Sequence, residues 1–185
     1  MLLYSVGVTL DGFINDREGG IDWSVPDDGL FAFHLERVRE LGAILLGRRL
    51  YETMLVWETD ESLRSDEAGA AFADVWQALP KVVFSRTLRE VQGNARLARG
   101  VLADEVAEVL SATARDVEIG GADLAGQAIS LGLVDELRLF RYPVIIGGGT
   151  PALPPVAAPA PYRLVETRTF GPGIIHERYR RAPGG

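Results

Sequence analysis

The spacing of apolar positions changes period along the chain in a repeating order. Leu2 to Leu10 alternates and is rich in strand formers, which predicts a first, buried strand. Gly29 to Leu41 then places Leu30, Phe31, Phe33, Leu35, Val38 and Leu41 at helical spacing. Gly42 to Leu46 reads as a second strand. A helical pattern runs from Phe72 to Leu79 and stops at Pro80, and Lys81 to Ser85 is a third strand. Asn94 to Leu97 is a short strand. Ala103 to Arg115 is a helix with Val106, Val109 and Leu110 inward and Glu105 and Glu108 outward. Val117 to Ile119 reads as a strand end and Ala122 to Leu131 as a helix that Gly132 can cap. Val134 to Phe140 is a strand that Tyr142 to Ile146 continues or follows. Tyr162 to Phe170 and Ile174 to Arg180 alternate around Gly171-Pro172-Gly173, a terminal hairpin. Three stretches lack periodicity: the loop Asn15 to Asp28, the acidic surface excursion Glu58 to Ala71, and the proline-rich loop Pro151 to Pro161. RRAPGG is a tail. Strands alternating with helices predict an α/β fold.

Composition narrows the class. The 185 residues fit one domain spanning 1–185, and 47% hydrophobic content allows a sizeable core. The net charge of -7 argues against a general nucleic-acid binder. The chain has no cysteine, so a disulfide framework or a thiolate metal site is excluded. His34 and His176 lie too far apart in sequence to make a metal-ligand spacing, and no metal is expected. No apolar run is long enough to span a membrane, and MLLYSVGVTLDG lacks the charged start of a signal peptide. The expectation is a soluble, cytoplasmic protein.

Candidate chemistry gathers at the ends of the predicted strands. Gly120-Gly121 follows a strand and precedes a helix. Glycine lets the backbone turn tightly and approach a ligand, and the helix N-terminus suits a phosphate. Gly47-Arg48-Arg49 follows the second strand, and its guanidinium groups can fork onto phosphate. Ser85-Arg86-Thr87 follows the third. If the anion there is the 2′-phosphate of a dinucleotide, the cofactor is NADPH rather than NADH. Asp11-Gly12 ends the first strand, as an ordinary turn or as a place where a flat ring approaches the backbone. Asp27 or Asp28 can cap the first helix. Either can instead stand in a cleft beside Trp23 and Phe31, where burial would keep an acid form that protonates a nitrogen heterocycle. Gly147-Gly148-Gly149 reads as a separate turn.

The order of these pieces, carried by SVGVTLDGFI, LLGRRLYE, VVFSRT, IGGADLAGQAISLGLVDELRLFRYPVIIGGGTP and GIIHERYR, resembles the dihydrofolate reductase-like superfamily. It is most similar there to the riboflavin-biosynthesis reductase domain and its stand-alone relatives. The resemblance implies a three-layer fold with a mostly parallel central sheet flanked by helices and a C-terminal antiparallel hairpin. It implies an NADPH-dependent reductase of a small pterin- or pyrimidine-like substrate, working as a homodimer. By the same resemblance Gly47, Arg48, Arg49 and Leu50 contact the adenosine-side phosphates, and Ser85 and Arg86 the 2′-phosphate. Gly120, Gly121, Ala122, Asp123 and Leu124 hold the pyrophosphate. Val8, Thr9, Asp11 and Gly12 lie near the nicotinamide and substrate. Asp28, with Asp27 as rival, takes the place of the acid on the pterin ring. The riboflavin-pathway reductases carry a D-D-P-x-L-x-x-R pattern after the GR turn, where this chain reads GRRLYETMLVWETDESL. The alternative to a reductase is a non-catalytic nucleotide-binding or regulatory module on the same fold.

Overall fold

The computed structural model describes residues 1–171 and 173–182. Pro172 of the expected hairpin turn, and the last three residues of the tail, lie outside the described residues. Eight strands make one sheet: β1 (Leu2–Thr9), β2 (Leu41–Gly47), β3 (Lys81–Phe84), β4 (Ala95–Leu97), β5 (Asp116–Gly120), β6 (Glu136–Tyr142), β7 (Tyr162–Phe170) and β8 (Ile174–Arg181). Their order across the sheet is β4-β3-β2-β5-β1-β6-β8-β7. Every pairing from β4 to β6 is parallel, and β8 and β7 add antiparallel. Six helices connect the strands: α1 (Asp28–Glu40), α2 (Arg48–Met54), α3 (Val56–Thr59), α4 (Glu67–Ala78), α5 (Leu102–Ala112) and α6 (Ala122–Ser130). This is the dihydrofolate reductase-like arrangement expected, with the sheet as the middle of three layers.

Alternation along the inner strands makes the layers. Leu2 and Tyr4 of β1, Ala43 and Leu45 of β2, and Val117 and Ile119 of β5 face α5 and α6. Leu3, Ile44, Leu46 and Val83 face the other way, against Leu35 of α1, Tyr51 of α2, and Phe72 and Trp76 of α4. Strands buried on both faces read as continuous apolar runs, and this is why LLY and ILL stand out in the sequence. Nearer the hairpin, Leu30 of α1 packs with Phe140, Tyr142, Phe170 and Ile174.

Some element boundaries differ from the sequence reading. The acidic stretch 58–71 is not an excursion throughout. It holds the end of α3, a 3₁₀ turn at Glu61–Arg64 and the first turn of α4. Asp66 caps α4 by accepting from the Gly69 amide, and Gly69 is buried because the Leu63 carbonyl lies where a side chain would go. Glu105, expected outward, is 2% exposed. Its carboxylate accepts from the Gly100 amide at 2.9 Å and pairs with Arg96 at 2.8 Å. Helical periodicity alone misassigns it because it ties down the loop before its own helix. Tyr142 belongs to β6, and the chain from Val144 to Thr150 leaves the sheet.

Charged groups are also buried. Arg37 of α1 reaches Glu118 of β5 at 2.8 Å beneath the helix, where burial pushes the Glu118 carboxyl up against the pull of Arg37. Glu136 is fully buried and accepts from Arg138 (2.7 Å), Arg178 (3.1 Å) and Arg180 (3.3 Å). Burial alone would raise its pKa, but hydrogen bonds from Arg178 and Arg138 outweigh that and hold it at about 2. His34 and His176 flank the Phe140 ring, with centroids 4.5 Å and 4.6 Å away. Burial, followed by the charge of Arg37, lowers them to about 3 and about 4.

The histidines give a pH dependence of known sign. Their native pKa values lie below the unfolded value of about 6.5, so the unfolded chain binds more protons at mildly acid pH. Stability present above pH 6.5 is therefore lost as pH falls toward the native values. Urea unfolding at pH 5.0 should show about 2 kcal/mol less stability per histidine than at pH 7.5. His176→Phe should remove its share of the difference. Glu136 begins to give up its contribution only below about pH 4.5, so it does not confound this window. Glu118, pushed up by burial, works in the opposite sense, so the histidine share is read from the variant: a pH dependence unchanged by His176→Phe would show that His176 is not buried as described.

Candidate functional site

The parallel register sets the ends of β3, β2 and β5 side by side. Gly47 pairs with Phe84, and Leu46 with Gly120. Ser85, Gly47 and Gly121 therefore leave the sheet at one level on three adjacent strands. Gly121 has φ +95 and caps α6, and a Cβ on it would stand 3.7 Å from the backbone of Gly47. The two glycine turns touch. Gly120 has no room for a side chain, since its Cβ would lie 2.5 Å from Leu50 Cδ2. The first turns of α2 and α6 thus open onto the same ground, presenting amide groups that no helical carbonyl satisfies.

The side chains around these turns divide into committed and free. Arg48 pairs with Glu52 one helical turn on, at 3.3 Å. Arg49 is exposed and has no ion pair among the described residues. Asp123 points to solvent, accepting from Gln127 at 3.1 Å, while Ala122 is half-buried and Leu124 is buried in the core. The Ser85 hydroxyl accepts from the amides of Thr87 (3.1 Å) and Leu88 (2.9 Å), which shapes the turn and leaves Arg86 exposed beside it.

At the end of β1, Val8 and Thr9 are buried, backbone included, and the Thr9 amide and carbonyl are taken up by Phe13 and Gly12, so the expected ligand contacts of these two are closed off. Gly12 has φ +89 and open space where a side chain would be. The expected ligand contact of Asp11 is taken up by the protein itself. The carboxylate accepts from the Thr9 hydroxyl at 2.6 Å and from the amide of Gly147 at 2.8 Å. The Thr9 bond, foremost, holds its pKa below the usual carboxylate range. Two more contacts close the same seam: the Thr150 amide donates to Asn15 at 3.0 Å, and Arg17 donates to the Gly147 carbonyl at 2.7 Å.

This seam borders a cavity of about 440 Å³ lined by Asn15, Arg17, Arg49, Gly149 and Thr150, among others. Gly149 thus shares a wall with Arg49, and the three-glycine turn is less separate from the cradle than its place in the sequence suggests. Asn15, Arg17 and Thr150 carried no signal in the sequence. They lie in aperiodic loops and meet Arg49 only through the fold.

The acidic pair at the start of α1 is placed differently from expectation. Asp27 is the cap, accepting from the Leu30 amide at 2.8 Å. Both Asp27 and Asp28 are exposed, so the burial that would keep an acid form is absent. Trp23 packs edge-on against Tyr142 at 5.2 Å, and its buried indole N–H has no acceptor among the described residues. Phe31 lies on the other flank of α1, 5.6 Å from Phe72 and 6.2 Å from Trp57. Trp23 and Phe31 therefore do not share one wall, because positions eight apart on a loop and a helix turn to opposite sides of α1.

The architecture is the dihydrofolate reductase-like fold. Residues 1–176 match the RibD C-terminal domain family, and the chain belongs to it. It is 32% identical over 184 residues to YyaP, an uncharacterized protein of Bacillus subtilis (strain 168), covering 96% of this chain and 93% of that one. Among solved structures it resembles the diaminohydroxyphosphoribosylaminopyrimidine deaminase/5-amino-6-(5-phosphoribosylamino)uracil reductase of Thermotoga maritima. There the TM-score is 0.67 at 19% identity, covering 98% of this chain and 56% of that one. It also resembles dihydrofolate reductase from Enterococcus faecalis complexed with NADP(H), with TM-score 0.68 and 17% identity, covering 98% and 96%. At such identities the likeness establishes the fold. Among the described residues no helix is long and apolar enough to cross a membrane.

The seam gives a direct prediction. Asp11→Ala should speed hydrogen exchange at the amides of Ile146 and Gly147, measured by deuterium uptake, while β1 and β6 keep their protection. Unchanged uptake over 146–150 would mean that Asp11 does not hold the turn.

Proposed function

We propose that the chain is an NADPH-dependent reductase of a small, flat heterocycle of pterin or pyrimidine type. One observation carries the reading: the turns at Gly47, Gly121 and Ser85 stand in line at adjacent strand ends, with unpaired Arg49 and Arg86 beside them. That row suits an extended dinucleotide. Gly121 and Gly47 would admit the pyrophosphate to the amides of α2 and α6. Arg49 would counter its charge, and Arg86 with Ser85 would take the 2′-phosphate. Space at Gly12 fits the approach of a ring to the end of β1. The residues present fit the cofactor, which when bound supplies the hydride. The likeness to the Thermotoga deaminase/reductase and to the Enterococcus dihydrofolate reductase complexed with NADP(H) supports the same reading.

The protein's own part is to bind, orient and supply a proton. The unpartnered indole N–H of Trp23 would donate to an acceptor on the substrate, since a buried donor left without a partner is costly. Asp27 is engaged as a cap, so Asp28 carries the proton role. Being exposed, it acts by orienting a water toward the reduced position. We place the protein in the cytoplasm as a homodimer. The second reading, a nucleotide-binding module without turnover, draws on the exposed aspartates and on the packing of Trp23 against Tyr142.

Calorimetric titration should give tighter binding of NADPH than of NADH. Arg86→Ala should weaken NADPH about tenfold and leave NADH nearly unchanged, since one charge-assisted contact is worth about 1.5–3 kcal/mol. Oxidation of NADPH at 340 nm with a panel of pterins, pyrimidines and quinones then separates the readings. Turnover lowered by Asp28→Asn supports the reductase. Tight binding without turnover on any substrate supports the module. No binding of either nucleotide ends both.

A further inference from the structure

Arg17 is the only lysine or arginine in the first 36 residues, and no residue from 142 to 162 is charged. The fold sets these two stretches against each other. Arg17 donates to the Gly147 carbonyl at 2.7 Å, and a Cβ on Gly148 would stand 2.7 Å from Arg17 Nε. A Cβ on Gly149 would overlap the Asn15 carbonyl oxygen. Gly147, Gly148 and Gly149 all have positive φ. This glycine run leaves the room in which the segment after β1 lies flat on an uncharged turn. Arg17 is exposed, has no ion pair among the described residues, and lines the cavity of about 440 Å³ together with the equally unpaired Arg49. Two carboxylates share that cavity. Asp16 is turned into its own loop, accepting from the amides of Glu18 and Gly20, both at 2.8 Å. Glu18 is exposed and has no ion pair among the described residues.

We propose that Arg17 joins Arg49 in binding the pyrophosphate of the dinucleotide, and that Glu18 beside it holds that affinity down. Sheet order selects this anion over the 2′-phosphate. Arg86 follows β3, while Arg17 follows β1 and rests on the turn after β6; β2 and β5 stand between the two sides. Arg17 therefore approaches the glycine turns at 47 and 121 from the side away from Arg86. The contact with Gly147 uses one of the five N–H groups of the guanidinium, so a fork remains for phosphate oxygens. Because the glycine turn already seats the side chain, less freedom is lost when the anion arrives. The loop after β1 thus supplies a cation to a cavity whose other wall, the three-glycine turn, has none.

This deepens the dinucleotide reading proposed above and rests on it. Calorimetric titration of the whole chain with NADPH, NADH and 2′-AMP tests it. Arg17→Gln keeps a donor for the Gly147 carbonyl and removes the charge. It should weaken NADPH and NADH alike, by about tenfold. Binding of 2′-AMP, which has no pyrophosphate, should be nearly unchanged. Glu18→Gln should act with the opposite sign and tighten both dinucleotides about twofold to fivefold. Deuterium uptake without nucleotide gives a readout apart from affinity. Uptake over 146–150 should be the same in Arg17→Gln as in the unaltered protein. A loss of affinity that comes with faster uptake there makes Arg17 a brace for the turn and overturns its contact with the cofactor. Dinucleotide affinities unchanged in Arg17→Gln, or a loss confined to NADPH and 2′-AMP, overturn this assignment alone. Weaker binding in Glu18→Gln overturns the role given to Glu18. Failure of the unaltered protein to bind either dinucleotide overturns the assignment together with the reading it rests on.

Discussion

The parallel register of β3, β2, β5 and β1 is the constraint on which the rest depends. β3, β2 and β5 pair so that their ends fall at a common level, while β1 runs about four residues further, to Thr9, and each then turns into a loop or helix on that side. Register is held by what the strands bury. Side chains alternate between the α5–α6 layer and the α1–α4 layer, and a slip of one residue would exchange the two sets. Turns far apart in sequence, at residues 47, 85 and 121, become neighbours because their strands cannot slide. The close approach of Gly121 to Gly47 follows directly. At Gly121 the φ of +95 would strain any side chain, whereas a Cβ on Gly47 would meet its neighbours only at ordinary contact distance.

A second level of organisation is electrostatic. On the side of the sheet that faces α1, carboxylates at Glu118 and Glu136 are taken out of water and met by arginines from other elements. A buried charge is tolerated only with such partners, and removing one of them leaves the other stranded. Arg37 links α1 to β5. Arg178 and Arg180 link the hairpin to β6. These pairs give little net stability compared with apolar packing. The cost falls on His34 and His176, which stay neutral among these cations.

The segment after β1 is held to the turn at 146–150 by polar contacts of another kind. Asp11, Asn15 and Arg17 from the segment after β1 grip the turn at 146–150. This grip brings the three-glycine turn to the wall that holds Arg49. Asp11 therefore acts as a brace, and its carboxylate is not free for a ligand. The same logic applies at α1, where Asp27 completes the helix start. An aspartate at the end of a strand or the start of a helix has backbone amides within reach, and those amides claim it first.

The sequence by itself determined the class of fold. The apolar periods marked nearly every strand and helix, since burial of one face or both leaves a period in the chain. Glycines and caps marked the turns, and the motif order pointed to the family. Phosphate-binding candidates were legible for the same reason: a glycine or arginine at a strand end is a local feature. Tertiary structure alone decided what each polar side chain does. Glu105 read as outward and Asp11 as ligand-facing, while Glu136 and Arg37 carried no signal. All four are occupied by partners that include residues 5 to 136 positions away. The cavity beside Arg49 is built from two loops and the first turn of α2, which share no common period. Periodicity reports which face of an element is buried. It carries no information on which distant amide or guanidinium will meet a given carboxylate, because that is set by how the layers pack.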